Sequence, residues 1–373
     1  MIVKKAVGKL HLWLGMTSGL LVFIISITGA LYAFQEEIQD YTQGYRFVEV
    51  RKHEMLAPSR LKEIAVKALP EKHVHAVAYF GKTRSAQVIF FHYEPSNQYY
   101  DIVFLNPYDG QVLKVKDMDT DFFRWVLMGH FYLWLPPDIG QALTASATLI
   151  FVFMLLSGIV LWWPRNKNAV KQRFSIKSRV SWKRRNYDLH NVIGFYACLF
   201  VLVLALTGLV WGFQWFAKGV YAVAGGEKSL TYYDPVSVDS NAVDSTEKIA
   251  MDEVWFRMRK LYPQANEIEV HSPETDSSSI AANVNELEGK HWKMNYHYFD
   301  QYSLKELPVD HVYGKFKDAQ FADKLMRMNY YIHVGSIFGF PGKCLAFLLS
   351  LIAASLPLTG FYIWCGRKKK SRQ

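Results

Sequence analysis

The sequence predicts an integral membrane α-helical protein: four transmembrane helices from an internal duplication, with two extracytoplasmic α+β domains. Three observations predict it. Four apolar runs free of Asp, Glu, Lys and Arg recur along the 373 residues. The basic residues outside the polar segments gather in three clusters beside those runs. The histidines and Ser/Thr-Gly steps of the first half return at matched positions in the second.

The runs are Leu12–Phe34, Leu143–Trp163, Val192–Phe216 and Cys344–Trp364. Each holds about twenty residues or a little more, enough to cross a hydrocarbon core of roughly 30 Å at about 1.5 Å per residue. The expected organisation is a first helix in 1–34, a polar domain in 35–120, and an outer-face segment with the second helix in 121–165. A basic loop (166–187), a third helix (188–216), a second polar domain (217–325), an outer-face segment with the fourth helix (326–366) and a basic tail (367–373) follow.

The net charge of +10 is not a nucleic-acid signal. Lys4, Lys5 and Lys9 precede the first run, and Arg165, Lys167, Lys171, Arg173, Lys177, Arg179, Lys183, Arg184 and Arg185 lie between the second and third. Arg367, Lys368, Lys369, Lys370 and Arg372 follow the last. These seventeen cations have no acid among them and leave the rest of the chain at −7. That is the positive-inside pattern, with both termini and the basic loop cytoplasmic and both polar domains outside. A lipid bilayer, with anionic lipid against the basic loop, is the expected partner; nucleic acid is not.

The first run is basic and then apolar, like a signal peptide, but it is longer than an h-region and Gly29-Ala30-Leu31-Tyr32-Ala33 offers no clear cleavage site. It reads as an uncleaved helix. Cys198, Cys344 and Cys365 are apolar thiols at membrane positions, and the absence of Cys-x-x-Cys-His excludes covalent c-type haem.

The polar segments repeat a plan. In the first, Pro58–Leu69 has helical spacing, followed by strand-like runs at Val74–Phe80, Ser85–His92 and Tyr99–Leu105 and a turn at Asn106–Gly110. In the second, Met251–Leu261 is the helix, and Glu267–His271, Ser279–Asn285 and Trp292–Phe299 are strands. The stretch 103–113 aligns with 297–307, where the turn has lost its Gly and Pro. The segments before the returning helices, HFYLWLPPDIG (130–140) and HVGSIFGFPGK (333–343), are broken by Pro136-Pro137 and Pro341-Gly342. His130 and His333 thus fall at the outer membrane face, while His11 and His190 open their helices at the inner face.

Each run carries a Ser/Thr-Gly step: Thr28-Gly29, Ser157-Gly158, Thr207-Gly208 and Thr359-Gly360. His11 and His190 each precede a step by seventeen residues, and His130 and His333 precede theirs by twenty-seven and twenty-six. With these motifs (SITGALYAF, LLSGIVLWWPR, ALTGLVWGFQ, LPLTGFYIW), the chain resembles the PepSY-associated transmembrane-helix family over nearly its whole length. Within it, the likeness is to inner-membrane ferric-siderophore reductases of the ferrioxamine-utilisation type. The resemblance implies PepSY-like polar domains, b-type haem and electron transfer to a periplasmic ferric siderophore. Some members carry a fused flavodoxin or reductase module; this chain stops at Gln373, so a separate cytoplasmic or quinol electron donor is expected.

Low-spin haem iron takes two axial ligands from opposite faces, and bundles build such sites from facing helices. Ligands at opposite ends of one half are separated by the bilayer. The pairing expected is therefore His11 with His190 and His130 with His333, two haems b per chain. The competing reading places each histidine at the membrane interface on carbonyls or headgroups. Zinc or copper is disfavoured because two imidazoles are too few for a closed zinc site. The Ser/Thr-Gly steps read as close-packing positions that also leave room for a macrocycle. The aromatics after them read as interfacial belts. His73 and His75, alternating on a strand, are a conceivable metal-facing pair. Arg124, Tyr132, Arg327, Tyr330 and Tyr331 are candidates for lining a substrate pocket, by position alone. The non-enzyme alternative is a regulatory membrane protein that binds peptides or restrains a protease; a transporter is weaker, since the runs have no carboxylates to hold ions.

Overall fold

A computed structural model describes residues 2–94, 97–164, 173–176, 179–237 and 247–370. Arg165, Lys167, Lys171 and Lys177 of the basic loop, and Arg372 of the tail, lie outside the described residues. The chain divides into two compact units. One comprises 1–35, 122–220 and 329–373; the other comprises 36–121 and 221–328.

The first unit holds four helices long and apolar enough to cross a membrane: Ile2–Tyr32 (α1), Pro137–Trp162 (α5), the continuous run Trp182–Gly212, and the helix at Ser336–Gly366. With the separate antiparallel sheet of the second unit, they make a membrane protein with an α+β part. The third helical run is composite: Trp182–Asp188 (α6), a π-helical turn Leu189–Ile193, and Gly194–Gly212 (α7). The interior is built from small and aliphatic residues, including Val22, Ala197, Cys198, Val201, Ala205 and Ala353. Trp13, Leu20, Leu199 and Leu348 stand exposed on the outside. This is the distribution a lipid environment favours, because the helices gain from close backbone approach rather than from burying large side chains away from water.

Two shorter helices lead into the returning spans: Phe122–Tyr132 (α4), and Phe321–His333 (α10), whose last turn belongs to the first unit. Between α4 and α5, Leu133 and Trp134 take left-handed φ angles of 55° and 57°, a conformation non-glycine residues rarely adopt. The turn is held by its own side chain. The Trp134 indole N–H donates to Trp125 O (2.9 Å), and its ring stacks on Trp125 at 4.6 Å. Before the last span the break lies at 334–338, not at Pro341-Gly342 as the sequence led us to expect. Gly335 turns the chain at φ 77°, and Pro341 sits in the first turn of Gly339–Lys370 (α11), where its missing N–H costs no helical bond.

The second unit is one seven-stranded sheet under two helices. Its strands are Val74–Phe80 (β1), Ala86–Glu94 (β2), Asn97–Leu105 (β3), Val112–Asp117 (β4), Glu267–His271 (β5), Ser279–Asn285 (β6) and Asn295–Asp300 (β7). The order is β4-β3-β2-β1-β5-β6-β7, and the described pairs are antiparallel. β4, with Lys114 and Lys116 on a free edge, adds a strand beyond the three expected, and charge there discourages further pairing. The two polar segments do not make two separate sheets: β1 pairs β5 from Ala76↔His271 to Phe80↔Glu267. They also share one core. Leu61 and Ala65 of Pro58–Ala68 (α3) and Met251, Val254, Trp255 and Met258 of Glu247–Leu261 (α9) pack on the inward residues of β1, β2, β3, β5, β6 and β7. Asp252 of α9 accepts from Ser59 N (2.8 Å) and Ser59 Oγ (2.6 Å) at the start of α3, a carboxylate at a helix N-terminus.

The outer face of the central strands is polar. His271 Nε2 lies 2.7 Å from Glu269 Oε1, and His291 Nε2 lies 2.8 Å from Glu267 Oε2. The expected His73-x-His75 alternation is not kept: His73 precedes β1, and an irregularity between Val74 and Ala76 turns the His75 ring toward His271 (4.8 Å between centroids). Among the described residues no cluster of three or more His, Cys, Asp or Glu has metal-holding geometry.

Burial alone would depress His271, yet the charge and hydrogen bond of Glu269 hold its pKa above the ordinary value. Burial works the other way on Glu269, whose pKa the His271 contacts hold below its ordinary value. The raised histidine contributes stability that is complete below 6.5 and lost as pH rises through its folded value. The lowered carboxylate contributes stability present above 4.5 and lost as pH falls through its folded value. Thermal unfolding of the sheet, followed by circular dichroism across pH, should therefore be most resistant between those two values. Glu269→Gln should flatten the alkaline limb.

Candidate functional site

The first unit holds two cavities. The inner one, about 430 Å³, is lined by His11 of α1 and His190 of the π-helical turn. The outer one, about 170 Å³, is lined by His130 of α4 and His333 of α10. Val22 and Phe151 border both. The structure thus brings together the pairs the sequence predicted, each with one histidine from each half. The His130 and His333 rings stand 6.1 Å apart, centroid to centroid, tilted by 64°.

Each imidazole lies against the Ser/Thr-Gly step of another helix. His11 Nδ1 lies 2.8 Å from Ser157 Oγ, and His190 Nδ1 lies 2.8 Å from Thr359 Oγ1. His333 Nδ1 lies 2.9 Å from Thr207 Oγ1 and 3.0 Å from Leu204 O. His130 Nδ1 lies 2.9 Å from Ile25 O, with Thr28 Oγ1 further away at 3.4 Å. The glycine beside each hydroxyl admits the ring. A Cβ at Gly29 would stand 2.9 Å from His130 Cε1, and at Gly208 and Gly360 it would stand 3.4 Å from His333 and His190. At Gly158 it would stand 3.6 Å from His11.

These contacts determine the tautomer. The hydroxyl protons are directed to their own helices: Thr28 to Ile24 O (2.7 Å), Ser157 to Met154 O (3.0 Å), Thr207 to Val203 O (2.8 Å) and Thr359 to Ser355 O (2.9 Å). A hydroxyl has one proton, so each meets the imidazole as an acceptor, and a carbonyl can only accept. At His130 and His333 the carbonyl contacts require the hydrogen on Nδ1, and at His11 and His190 the same tautomer lets each hydroxyl keep the bond to its own helix. Nε2 is left with its lone pair and, among the described residues, with no hydrogen-bond partner. The steps first read as packing positions are thus the groups that orient the histidines.

The arrangement fits a bis-imidazole metal group. Two imidazoles on opposite faces of one metal, with bonds of about 2 Å, place their ring centroids roughly 6 Å apart, the separation seen at the outer site. The inner cavity lies within the usual range for ligand pockets, roughly 300–1,000 Å³. The outer one falls below it, and there the ring separation rather than the volume carries the fit. Gly8, Gly15, Gly19 and Gly194 keep the inner walls flat. Trp162, 4% exposed in that wall, has an indole N–H with no hydrogen-bond partner among the described residues, and Lys4, whose Nζ donates to Trp163 O (2.9 Å), lines the same cavity; both suit a ligand bearing carboxylates. A closed zinc site would need further ligands, and among the described residues no group of three or more His, Cys, Asp or Glu could hold a metal ion.

The substrate candidates scatter. Tyr330, 44% exposed, lines the outer cavity. Tyr331 is buried with its ring 5.3 Å from Tyr330; Arg124 is half-buried on α4, and Tyr132 packs on Phe131 at 5.9 Å. None of these three lines the cavity. Arg327 is a structural clamp rather than a pocket cation. It is buried in the second unit, with Nε and Nη2 donating to Val312 O, Nη1 to Met294 O and Nη2 also to Gly314 O. Sequence reasoning missed Trp211, left among the belt aromatics, whose ring meets His333 edge-on at 5.3 Å. It also missed Asn186 and Asn329, which donate to the carbonyls of Thr359 (3.0 Å) and Thr207 (3.1 Å). Their signal was present: NYDLH (186–190) and NYYIH (329–333) share Asn-Tyr-x-Leu/Ile-His.

A four-span membrane protein with paired, pre-oriented histidines at two levels is the class that fold and site define. The family model for the PepSY-associated TM region matches residues 9–367, and the chain belongs to that family. No curated protein matches it.

Because a Cβ at Gly29 would crowd His130, Gly29→Ala should displace that ring and weaken binding of any group held between His130 and His333. Gly158→Ala, with ordinary contact distance, should be tolerated. Binding of added haemin to the purified protein, followed in the Soret band, distinguishes the two.

Proposed function

We propose that this protein is a di-haem b reductase of the bacterial inner membrane that carries electrons from the cytoplasmic side to a periplasmic ferric siderophore. Supporting it above all is the pairing of four imidazoles, each anchored through Nδ1, in two cavities, with each pair drawn from both halves. Such a set has no ready explanation as four independent interfacial histidines, and polar groups inside membranes default to function. Two haems b, held by His11 with His190 and by His130 with His333, would supply one-electron transfer between the two sides.

The chain's own residues bind, orient and insulate. Nε2 of each histidine offers its lone pair, and the Nδ1 bonds hold the ring plane. Val22 and Phe151 line both cavities, and their apolar side chains disfavour water on a path between the two sites. At the outer cavity Tyr330 and Trp211 form the boundary toward which a chelate would approach. One electron delivered there converts Fe(III) to Fe(II), and hard oxygen donors hold the lower charge less firmly. The electron enters from a separate cytoplasmic or quinol donor.

The charge pattern supports cytoplasmic termini, with the sheet unit on the periplasmic side. An origin by duplication, giving two PepSY-like halves, is supported by the matched histidines and by a helix-plus-strands plan on each side of the β1–β5 seam.

The detergent-purified protein, grown with ample haem, should show low-spin b-type bands and two haems per chain. His11→Ala and His333→Ala should each lose about half of it, one site of two; full retention in both would sink the pairing. Dithionite-reduced protein mixed with a ferric hydroxamate chelate should reoxidise while a ferrous-specific chromogenic chelator captures iron.

A further inference from the structure

The third and fourth spans grip their Ser/Thr-Gly steps twice. Asn329 and His333 stand four residues apart on α10, so both face the Thr207 step. The asparagine takes the threonine carbonyl at 3.1 Å and the histidine takes its hydroxyl at 2.9 Å. Asn186 and His190 repeat the grip on Thr359, at 3.0 Å and 2.8 Å. The first half has no counterpart, since Val7 and Val126 occupy the equivalent positions before His11 and His130.

We propose that Thr207 and Thr359, each clamped by an Asn-x-x-x-His pair, are positioning residues that keep the His333 and His190 protons on Nδ1 and set the donor strength of Nε2. The proposal rests on the haem reading above. Within each clamp the threonine proton goes to its own helix, at 2.8 Å (Val203 O) and 2.9 Å (Ser355 O), so the oxygen is free only to accept. In a low-dielectric interior such an acceptor draws on the Nδ1–H bond and pushes electron density toward Nε2, making the ring a more basic ligand. A more basic ligand favours ferric over ferrous iron and lowers the midpoint potential. Loss of the hydroxyl should raise it without releasing the ring, because His333 keeps Leu204 O at 3.0 Å.

The test is a spectroelectrochemical titration of the haem-loaded, detergent-purified protein, with low-spin EPR, for wild type, Thr207→Val and Thr207→Ser. Thr207→Val should retain two haems per chain, with the midpoint of one raised, its EPR signal displaced and the other unchanged. Thr207→Ser, which restores an acceptor, should return both to wild-type values. Thr28→Val should shift its site less, since that hydroxyl is 3.4 Å from His130 and Ile25 O carries the bond. Thr359→Val gives the same measurement at the inner site should Thr207→Val misfold. Unchanged potentials in both valine variants would overturn the proposal while leaving the haem reading standing, as would equal shifts in valine and serine. A wild-type protein without haem would overturn the parent reading and this proposal with it.

Discussion

A ring N–H inside a membrane has no water to fall back on, and the need to satisfy it organises the first unit. An unmatched polar group in hydrocarbon costs several kcal/mol, so each Nδ1–H must find an acceptor on another helix. The Ser/Thr-Gly step supplies one: glycine lets the ring approach, and the hydroxyl, its own proton engaged, receives the bond. Because the step that meets each histidine lies on a helix other than its own, the bonds run crosswise. His11 of α1 meets Ser157 of α5, and His130 of α4 meets Thr28 of α1. His190 meets Thr359 of α11, and His333 meets Thr207 of α7. The contacts that aim the histidines are therefore the same contacts that pack the helices, so preparing the site and assembling the bundle are one event.

The second unit solves a different problem with different residues. There the driving force is burial of large apolar side chains, and Trp255, Leu61, Phe90 and Phe299 are almost wholly withdrawn from solvent. Each polar segment taken alone would leave one helix on a short sheet with an open central edge at β1 or β5. Pairing those two edges satisfies their backbone groups and extends the core across both segments. The cost falls on the other face of the seam, where His271 and Glu269, and His291 and Glu267, are held in matched pairs. The two units thus use the same halves of the sequence in opposite ways: small residues and hydroxyls in one, bulk and charge pairing in the other.

The spans, most strands and the four histidines were legible because they rest on local chemistry. An uncharged apolar run, a β-branched alternation and a histidine at a helix end can each be seen in a window of residues. Strands at Val74–Phe80, Glu267–His271 and Ser279–Asn285 coincide with their sequence patterns. The failures have physical causes as well. Arg327 looked like a pocket cation from its place near His333, but the carbonyls that surround it come from residues 294, 312 and 314, distant in sequence. Pro341 looked like a break because proline ends helices in their interior, whereas at a first turn it is harmless.

What the sequence by itself determined is the number and identity of the membrane-crossing helices, the helix-and-strand content of the polar segments, and which histidines recur in both halves. Those follow from residue type and spacing, which local physics constrains. Only the tertiary structure decided which hydroxyl meets which imidazole, and that two polar segments close into one sheet. Thr28 and His11 keep a fixed spacing along one helix, yet neither bonds the other; each finds its partner on a different helix. Hydrogen-bond satisfaction is a property of the assembled interior, where acceptor and donor arrive from distant parts of the chain.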